Sequence, residues 1–326
     1  MTPTNTATPK ITVSQHTHRG LNRAQRTNLT FYGFLTPWLL GFVFLTAIPL
    51  VIALVLSFTN YDGINWDSMK FVKLDNYVRA FSDDRVAYSL QRTLLWLLLY
   101  VPLWMIISFA LALVLNQNIK GKGFFRVLYY LPSVVPASAA VIVWRTMLDK
   151  NNGLLNELIG FFQPGTAIGW LSTYSLQSLV VVVLWTGLGA GMIIFLAGLQ
   201  NIPDPLIEAA RIDGASNWDI VRYITLPLMS PVIFLQLILG LIGAFQQLTY
   251  PFLIGYVSYS GGISTPPRGV FLYMVNTYLE IRLNQRYAYG SALLWLFFIG
   301  ILILTGLVFW SQKFWVYTGE VEQERR

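Results

Sequence analysis

The chain has 326 residues, of which 55% are hydrophobic and 11% charged, and a formal net charge of +7. Charge stands at less than half the usual quarter of a soluble domain, and the apolar excess sits in long runs, so the solvent is a bilayer. Zero cysteines exclude disulfides, thiolate metal sites and cysteine nucleophiles, and no basic stretch is interleaved with aromatics in a nucleic-acid-binding pattern, so the positive charge bears on membrane orientation and anionic headgroups.

Residues 1–29 are polar, with Lys10, Arg19, Arg23 and Arg26 and no acid. This stretch is too long and too polar before the first apolar run for a cleaved signal peptide, and is expected to be a mostly disordered cytoplasmic tail. His16 and His18 lie in it and read as solvated rather than metal-ligating. Six spans follow over residues 30–314. The first is expected at about Phe31–Phe58, bent by Pro37 and Pro49. The second covers about Gln91–Leu115 and the third about Phe124–Met147, with Pro132 and Pro136 inside it. A loop with a short helix near Leu154–Phe162 leads to the fourth span, about Ser175–Leu199. The fifth is placed at about Pro231–Ile254 and the sixth at about Tyr289–Trp310, with a loop rich in Gly, Ser and Pro between them and a polar tail at 315–326. An even number of spans puts both termini on one side. The basic tail and the connector with Lys120 and Lys122 argue for the cytoplasm, but the Lys/Arg tally over all loops is only mildly asymmetric, so the expectation rests on these two together with the motif in segment 203–231.

Residues 203–231, between the fourth and fifth spans, spell two short helices joined by a glycine. Asp204 is the expected N-cap and Pro205 fits the first helical position. Gly214 lies just past the end, where a left-handed residue is cheapest without a side chain. Ser216 with Asp219 forms a capping box for the second helix, which must end or kink at Pro227. Glu208, Ala209 and Ala210 make a low surface with one carboxylate. It suits either a partner's groove or an ordinary surface connector.

The spacing Glu208-Ala209-Ala210, three residues, Gly214, nine residues, Ile224-x-Leu226-Pro227 is similar to the EAA loop of membrane subunits of bacterial ATP-binding-cassette importers. Ile212-Asp213-Gly214-Ala215-Ser216 resembles the sugar-permease branch, of the maltose and glycerol-phosphate type. Leu74-Asp75-Asn76-Tyr77 with Phe81, Arg126, Leu131-Pro132, Pro136 and Trp144, Gly290-Ser291-Ala292 and Trp315-Val316-Tyr317 fit the same family over roughly residues 31–320. One departure is Gly261-Gly262 followed by Ile263, where the family often has Gly-Gly-Pro.

The resemblance implies an all-α membrane protein with the type I importer permease fold, in the bacterial inner membrane. It implies that Glu208, Ala209, Ala210, Asp213, Gly214, Ala215 and Pro227 serve coupling to a separate ATPase. Its implied partners are a second related permease subunit, two copies of the cytoplasmic ATPase and an extracytoplasmic solute-binding protein. No cofactor is expected in this chain; ATP and Mg belong to the ATPase.

No Walker A sequence, H-E-x-x-H or Gly-x-Ser-x-Gly elbow is present, so no catalytic site is expected in the chain. No ionisable residue sits mid-span, which argues against ion coupling and for an uncharged, hydroxyl-rich solute. An ATP-independent carrier or channel is the rival class. Gln236, Gly240, Gly243, Gln247 and Tyr250 recur at steps of four and three, within an arc of about 80° on a helical wheel. They line either a translocation pathway, with Gln247 and Tyr250 as hydrogen-bonding groups and Gln246 and Thr249 beside them, or a helix-packing face. Gly187-x-x-x-Gly191 reads as a close helix contact. Trp96, Trp104, Trp185, Trp295 and Trp310 read as core or interfacial residues before they read as sugar platforms.

Overall fold

The computed structural model describes residues 23–255 and 266–317. The departure at Gly261-Gly262 lies outside them. The helices are α1 (Arg23–Phe42), α2 (Ile48–Leu56), α3 (Asp75–Ser82), α4 (Asp84–Asn116), α5 (Lys122–Val134), α6 (Ala137–Met147), α7 (Leu154–Phe162), α8 (Ser175–Leu199), α9 (Asp204–Ile212), α10 (Asn217–Ile220), α11 (Leu226–Phe245), α12 (Thr249–Ile254), α13 (Tyr273–Arg282) and α14 (Tyr287–Trp315). Among the described residues the nearest thing to a sheet is one antiparallel bridge, Thr59 to Phe71. Among the described residues five stretches are long and apolar enough to cross a membrane: 27–56, 84–116, 175–199, 217–245 and 287–315. The pair α5 and α6 adds a sixth if it counts as one span, but it is bent by 98°. The third span expected at about Phe124–Met147, with Pro132 and Pro136 inside it, is thus two helices. Pro136 removes an amide donor and forces Val135 into an extended conformation, and the chain turns there.

Residues 1–53 and 54–326 form two compact units. In the first, the helix already begins at Arg23, inside the expected tail, and none of its described apolar side chains is buried. Val43–Ala47 is a π-helical turn directly before Pro49. Proline cannot donate and its ring crowds the carbonyl four residues back, so a widened turn lets the helix pass it without breaking. The same device recurs in the second unit. Val221–Thr225 is π-helical just before Pro227, so residues 217–245 run as one helix. The end or kink expected at Pro227 takes the form of a local widening.

The second unit is organised around Trp104 of α4. Its indole Nε1 donates to the Gly187 carbonyl of α8 at 3.0 Å. A Cβ added at Gly191 would lie 2.8 Å from both Ser108 Oγ and the Trp104 ring, and one at Gly240 of α11 would lie 2.7 Å from the same ring. Three glycines from two helices thus make the recess that holds one indole. Trp96 and Tyr100 stack in sequence above it, 4.6 Å between centroids, and Trp96 Nε1 donates to Ala244 O at 3.0 Å. On the other side of α8, Gly189 meets the Tyr129 backbone of α5 so closely that a Cβ would collide. Small residues let apolar helices approach where lipid offers no hydrophobic drive. The close-contact reading of Gly187-x-x-x-Gly191 holds in this form.

Pairings fix the direction of each helix. Trp104 meets Gly187 and Phe109 meets Phe195, while Leu115 and Leu199 share a cluster, so α4 and α8 run parallel. Gln236 donates to Gly191 O and Gly198 faces Met229, while Phe234 meets Phe309 edge to face and Phe245 meets Phe297, so α11 runs against α8 and α14. Connector 117–121, segment 200–216 and Tyr317, whose amide donates to Ser230 Oγ at 2.7 Å, therefore share one end of the bundle.

At the opposite end, where composition predicts only a Gly/Ser/Pro loop, α13 packs with Val275 and Leu279 buried. Its Glu280 is 2% exposed and accepts from Asn284 Nδ2 at 2.9 Å and Arg286 Nη1 at 3.2 Å. Tyr289 OH donates to Asp83 at 2.9 Å, and the Arg79 guanidinium lies 4.6 Å over the Tyr289 ring. The Leu74-Asp75-Asn76-Tyr77 stretch is a clasp: Asn76 Nδ2 donates to the carbonyls of Ser57 and Thr59 at 2.9 and 2.7 Å. Another asparagine, Asn156 of α7, holds loop 148–174 together by donating to Asp149 O, Lys150 O and Ile168 O. In that loop the amides of Asn152 and Asn151 keep the exposed Asp149 carboxyl below its ordinary range.

Gly240→Val and Gly191→Val are expected to cost about 1–3 kcal/mol each by overpacking against Trp104. Gly243→Ala, where an added Cβ meets nothing within 4 Å, is the control. Melting of the purified protein in detergent should fall for the two valine variants and hold or rise for Gly243→Ala.

Candidate functional site

Segment 203–231 forms the first of two candidate sites. α9 begins at Asp204 itself, one residue earlier than expected, with Pro203 in the cap position and no side-chain cap bond. Asp204 is thus in the first turn, where its charge still favours the helix N-terminus, but its capping role is corrected. The far end follows the reading closely. Gly214 has φ +82°, its amide donates to Arg211 O at 3.1 Å, and the Ala215 amide reaches back to Ala210 O at 2.9 Å. These two bonds are a Schellman turn, and they need a left-handed residue at position 214. Ser216 then caps α10. It accepts from the Asp219 amide at 3.3 Å, while its own amide donates to Asp219 Oδ2 at 3.0 Å, which completes the box.

The knuckle so formed is exposed. Glu208, Ala209, Asp213, Gly214 and Pro227 are exposed, and Ala210 and Ala215 are half-buried. Nothing lies within 4 Å of a Cβ at Gly214, so only its backbone conformation demands glycine there. The sequence reading passed over the large apolar side chains on this segment. Ile212 is 86% exposed and Trp218 68%, with Leu206 and Tyr223 exposed beside them. Four such groups on a polar knuckle make a surface that favours burial against another molecule. The signal was available: the segment is polar, and these residues interrupt it without the periodicity of a span.

The second site is the end of the fifth span. α11 stops at Phe245, residues 246–248 are non-helical, and α12 resumes at Thr249. The five-residue stripe is therefore divided. Gln236 is 1% exposed and donates to Gly191 O at 3.2 Å, and Gly240 seats the Trp104 ring; both serve packing. Gly243, Gln246 and Thr249 are exposed, while Gln247 and Tyr250 are half-buried. Tyr250 OH donates to Thr186 Oγ1 of α8 at 3.2 Å, and α12 packs on α6, the limb beyond the 98° bend. Two interrupted helices therefore meet beside α8. Irregular backbone is tolerated there where protein buries it or where it lines a water-filled space. Trp144 and Trp185 meet edge to face beside this region at 6.0 Å. Trp96 and Trp104 are core residues, and Trp310 is 60% exposed at the far end of α14.

Likeness to known proteins bears on this architecture. The pattern of the family described as binding-protein-dependent transport system inner membrane component matches residues 85–315. The chain is 34% identical over 303 residues to the probable ABC transporter permease protein YesP of Bacillus subtilis, covering 92% of this chain and 95% of that protein. It is 34% identical over 237 residues to the trehalose/maltose transport system permease protein MalF of Thermococcus litoralis, covering 72% of this chain and 77% of that protein. It is 28% identical over 268 residues to the lactose transport system permease protein LacF of Rhizobium radiobacter, covering 81% and 88%. In fold it matches a chain of the crystal structure of a bacterial alginate ABC transporter in complex with alginate pentasaccharide-bound periplasmic protein, with a TM-score of 0.74 at 18% identity, over 88% of this chain and 95% of that one. The chain belongs to the family of inner membrane components of binding-protein-dependent transport systems, as an ABC transporter permease.

Proposed function

We propose that the chain carries a saccharide across the membrane and takes its driving force through segment 203–231. The observation that carries the coupling role is the knuckle itself. Two short helices meet at a left-handed Gly214, project from the end of the bundle shared with connector 117–121, and expose Ile212 and Trp218 beside Glu208. An exposed apolar pair next to one carboxylate suits a groove with a basic rim. The ATPase supplies that groove and holds the ATP and Mg; two copies serve this chain and a second, related permease subunit. The knuckle end is cytoplasmic, both termini with it, and an extracytoplasmic solute-binding protein delivers cargo at the other end.

Relatives named for lactose and for trehalose and maltose support carbohydrate as the cargo. Gln247 and Tyr250 line the pathway where the fifth span breaks, with Gln246 and Thr249 beside them. Hydroxyl and amide groups exchange hydrogen bonds with a neutral polyol without a charge to desolvate.

In proteoliposomes holding the full importer, Glu208→Lys is expected to uncouple, with more ATP hydrolysed per sugar taken up. Gly214→Val should do the same, since a side chain in the left-handed region costs about 1–2 kcal/mol. Wild-type coupling in both variants counts against the assignment. Gln247→Leu with Tyr250→Phe should assemble normally and lose uptake by at least about tenfold, the equivalent of one charge-free hydrogen-bond pair in the transport barrier. Normal uptake would make this a packing face only.

A further inference from the structure

At the end of the bundle opposite the knuckle lies a cavity of about 590 Å³, walled by α4, the 266–271 turn and α13. None of Gln246, Gln247, Thr249 and Tyr250 lines it. Its floor carries Asn276 and Glu280, each 2% exposed, and its rim carries Asp84, Arg85 and Arg268. Tyr88 and Phe271 supply ring surface on the walls.

Three features define what fits. The volume lies inside the range of small-molecule sites, about 300–1,000 Å³, and suits one or two sugar rings. The charge of the lining cancels, with Arg85 and Arg268 against Asp84 and Glu280. An anion gains no net attraction there, whereas a neutral ligand rich in both donors and acceptors meets guanidinium, carboxylate and amide groups in turn. The site is also fixed in place. Glu280 is held by Asn284 at 2.9 Å and Arg286 at 3.2 Å, with Arg85 3.9 Å away. The 268–270 turn is held by Tyr88 OH, which donates to Arg268 O at 3.0 Å, and by Arg92, which donates to Gly269 O from Nε at 3.0 Å and Nη2 at 2.9 Å. Groups held before binding lose less freedom on binding.

We propose that this cavity is a second saccharide site of the chain, which takes one neutral sugar unit apart from the pathway residues at 246–250. The rings of Tyr88 and Phe271 cover the C–H face of the sugar, and Asp84, Arg268 and Asn276 bond its hydroxyls. The proposal rests on carbohydrate as the cargo.

The test uses the full importer in nanodiscs, without nucleotide or binding protein, and equilibrium binding of tritiated lactose, trehalose and maltose. The background is Gln247→Leu with Tyr250→Phe, so that the pathway does not report. That background should still bind at least one of the three sugars. Adding Asp84→Ala with Arg268→Ala should weaken binding by about tenfold or more. Leu283→Trp, which fills the cavity from an exposed position without touching its charges, should do the same in complexes that elute intact. Affinity unchanged in both variants, or no binding in the background, overturns the second site. The cargo itself is read separately: if the wild-type assembly with its binding protein takes up no sugar in proteoliposomes, the carbohydrate reading fails instead.

Discussion

One indole holds the second unit together. Trp104 is the largest kind of side chain, seated where α4, α8 and α11 meet, and the helices reach it because Gly187, Gly191 and Gly240 have no side chains there. In lipid, helices gain nothing by hiding apolar surface from one another, so contact area and interhelical hydrogen bonds decide association. The indole supplies both, with its ring in the recess and its N–H on a glycine carbonyl. Trp96 repeats the arrangement two turns away on Ala244 O, and Tyr100 stacks between the two. α8 then extends the principle to α5 through Gly189 and to α11 through Gly198, which faces Met229 and Val232. The fourth span is thus a central post, and its glycines point in several directions because it has several neighbours.

Proline is handled in more than one way in the same chain, and Pro37, Pro102, Pro132 and Pro231 are carried inside α-helix. Before Pro49 and before Pro227 the helix widens by one π-helical turn and continues. At Pro136 it breaks and turns by 98°. Spacing alone does not decide between them, since Pro227 and Pro231 are four residues apart as Pro132 and Pro136 are. The difference lies in the residue before the proline: Val135 takes the extended conformation that a following proline favours and its amide turns back to Pro132 O at 3.2 Å, whereas Leu226 stays helical before Pro227.

Much of this architecture was legible because apolar length is an unambiguous signal in a membrane chain. The fourth span and the short helix at Leu154–Phe162 fall at the residues read from the sequence, and Gly214 takes the left-handed conformation that its position after Ile212 demands. What stayed hidden depends on partners distant in sequence. Gln236 and Gly240 looked like members of a polar stripe until Gly191 and Trp104 were found against them. The wheel argument failed for a local reason as well: the helix ends at Phe245, so Gln247 and Tyr250 no longer keep its register. α13 was missed because its stretch reads as a polar loop, with Asn276, Thr277 and Glu280 buried by neighbours that sequence proximity does not reveal. Asp204 shows the smaller limit, since a Pro-Asp-Pro run offers two starting positions one residue apart.

The unbroken run from Asn217 to Phe245 has a mechanical consequence. A helix of that size is about 43 Å long at 1.5 Å per residue, well beyond the hydrocarbon thickness it crosses. Its foot adjoins the Ser216 cap and its head adjoins the interruption at 246–248. A rod of that length, tilted by about 5° about its foot, swings its head by roughly 4 Å. That is comparable with the width of a water molecule and a hydrogen bond together, so a slight lean at the Ser216 end is enough to shift the interruption at 246–248 by a full contact distance.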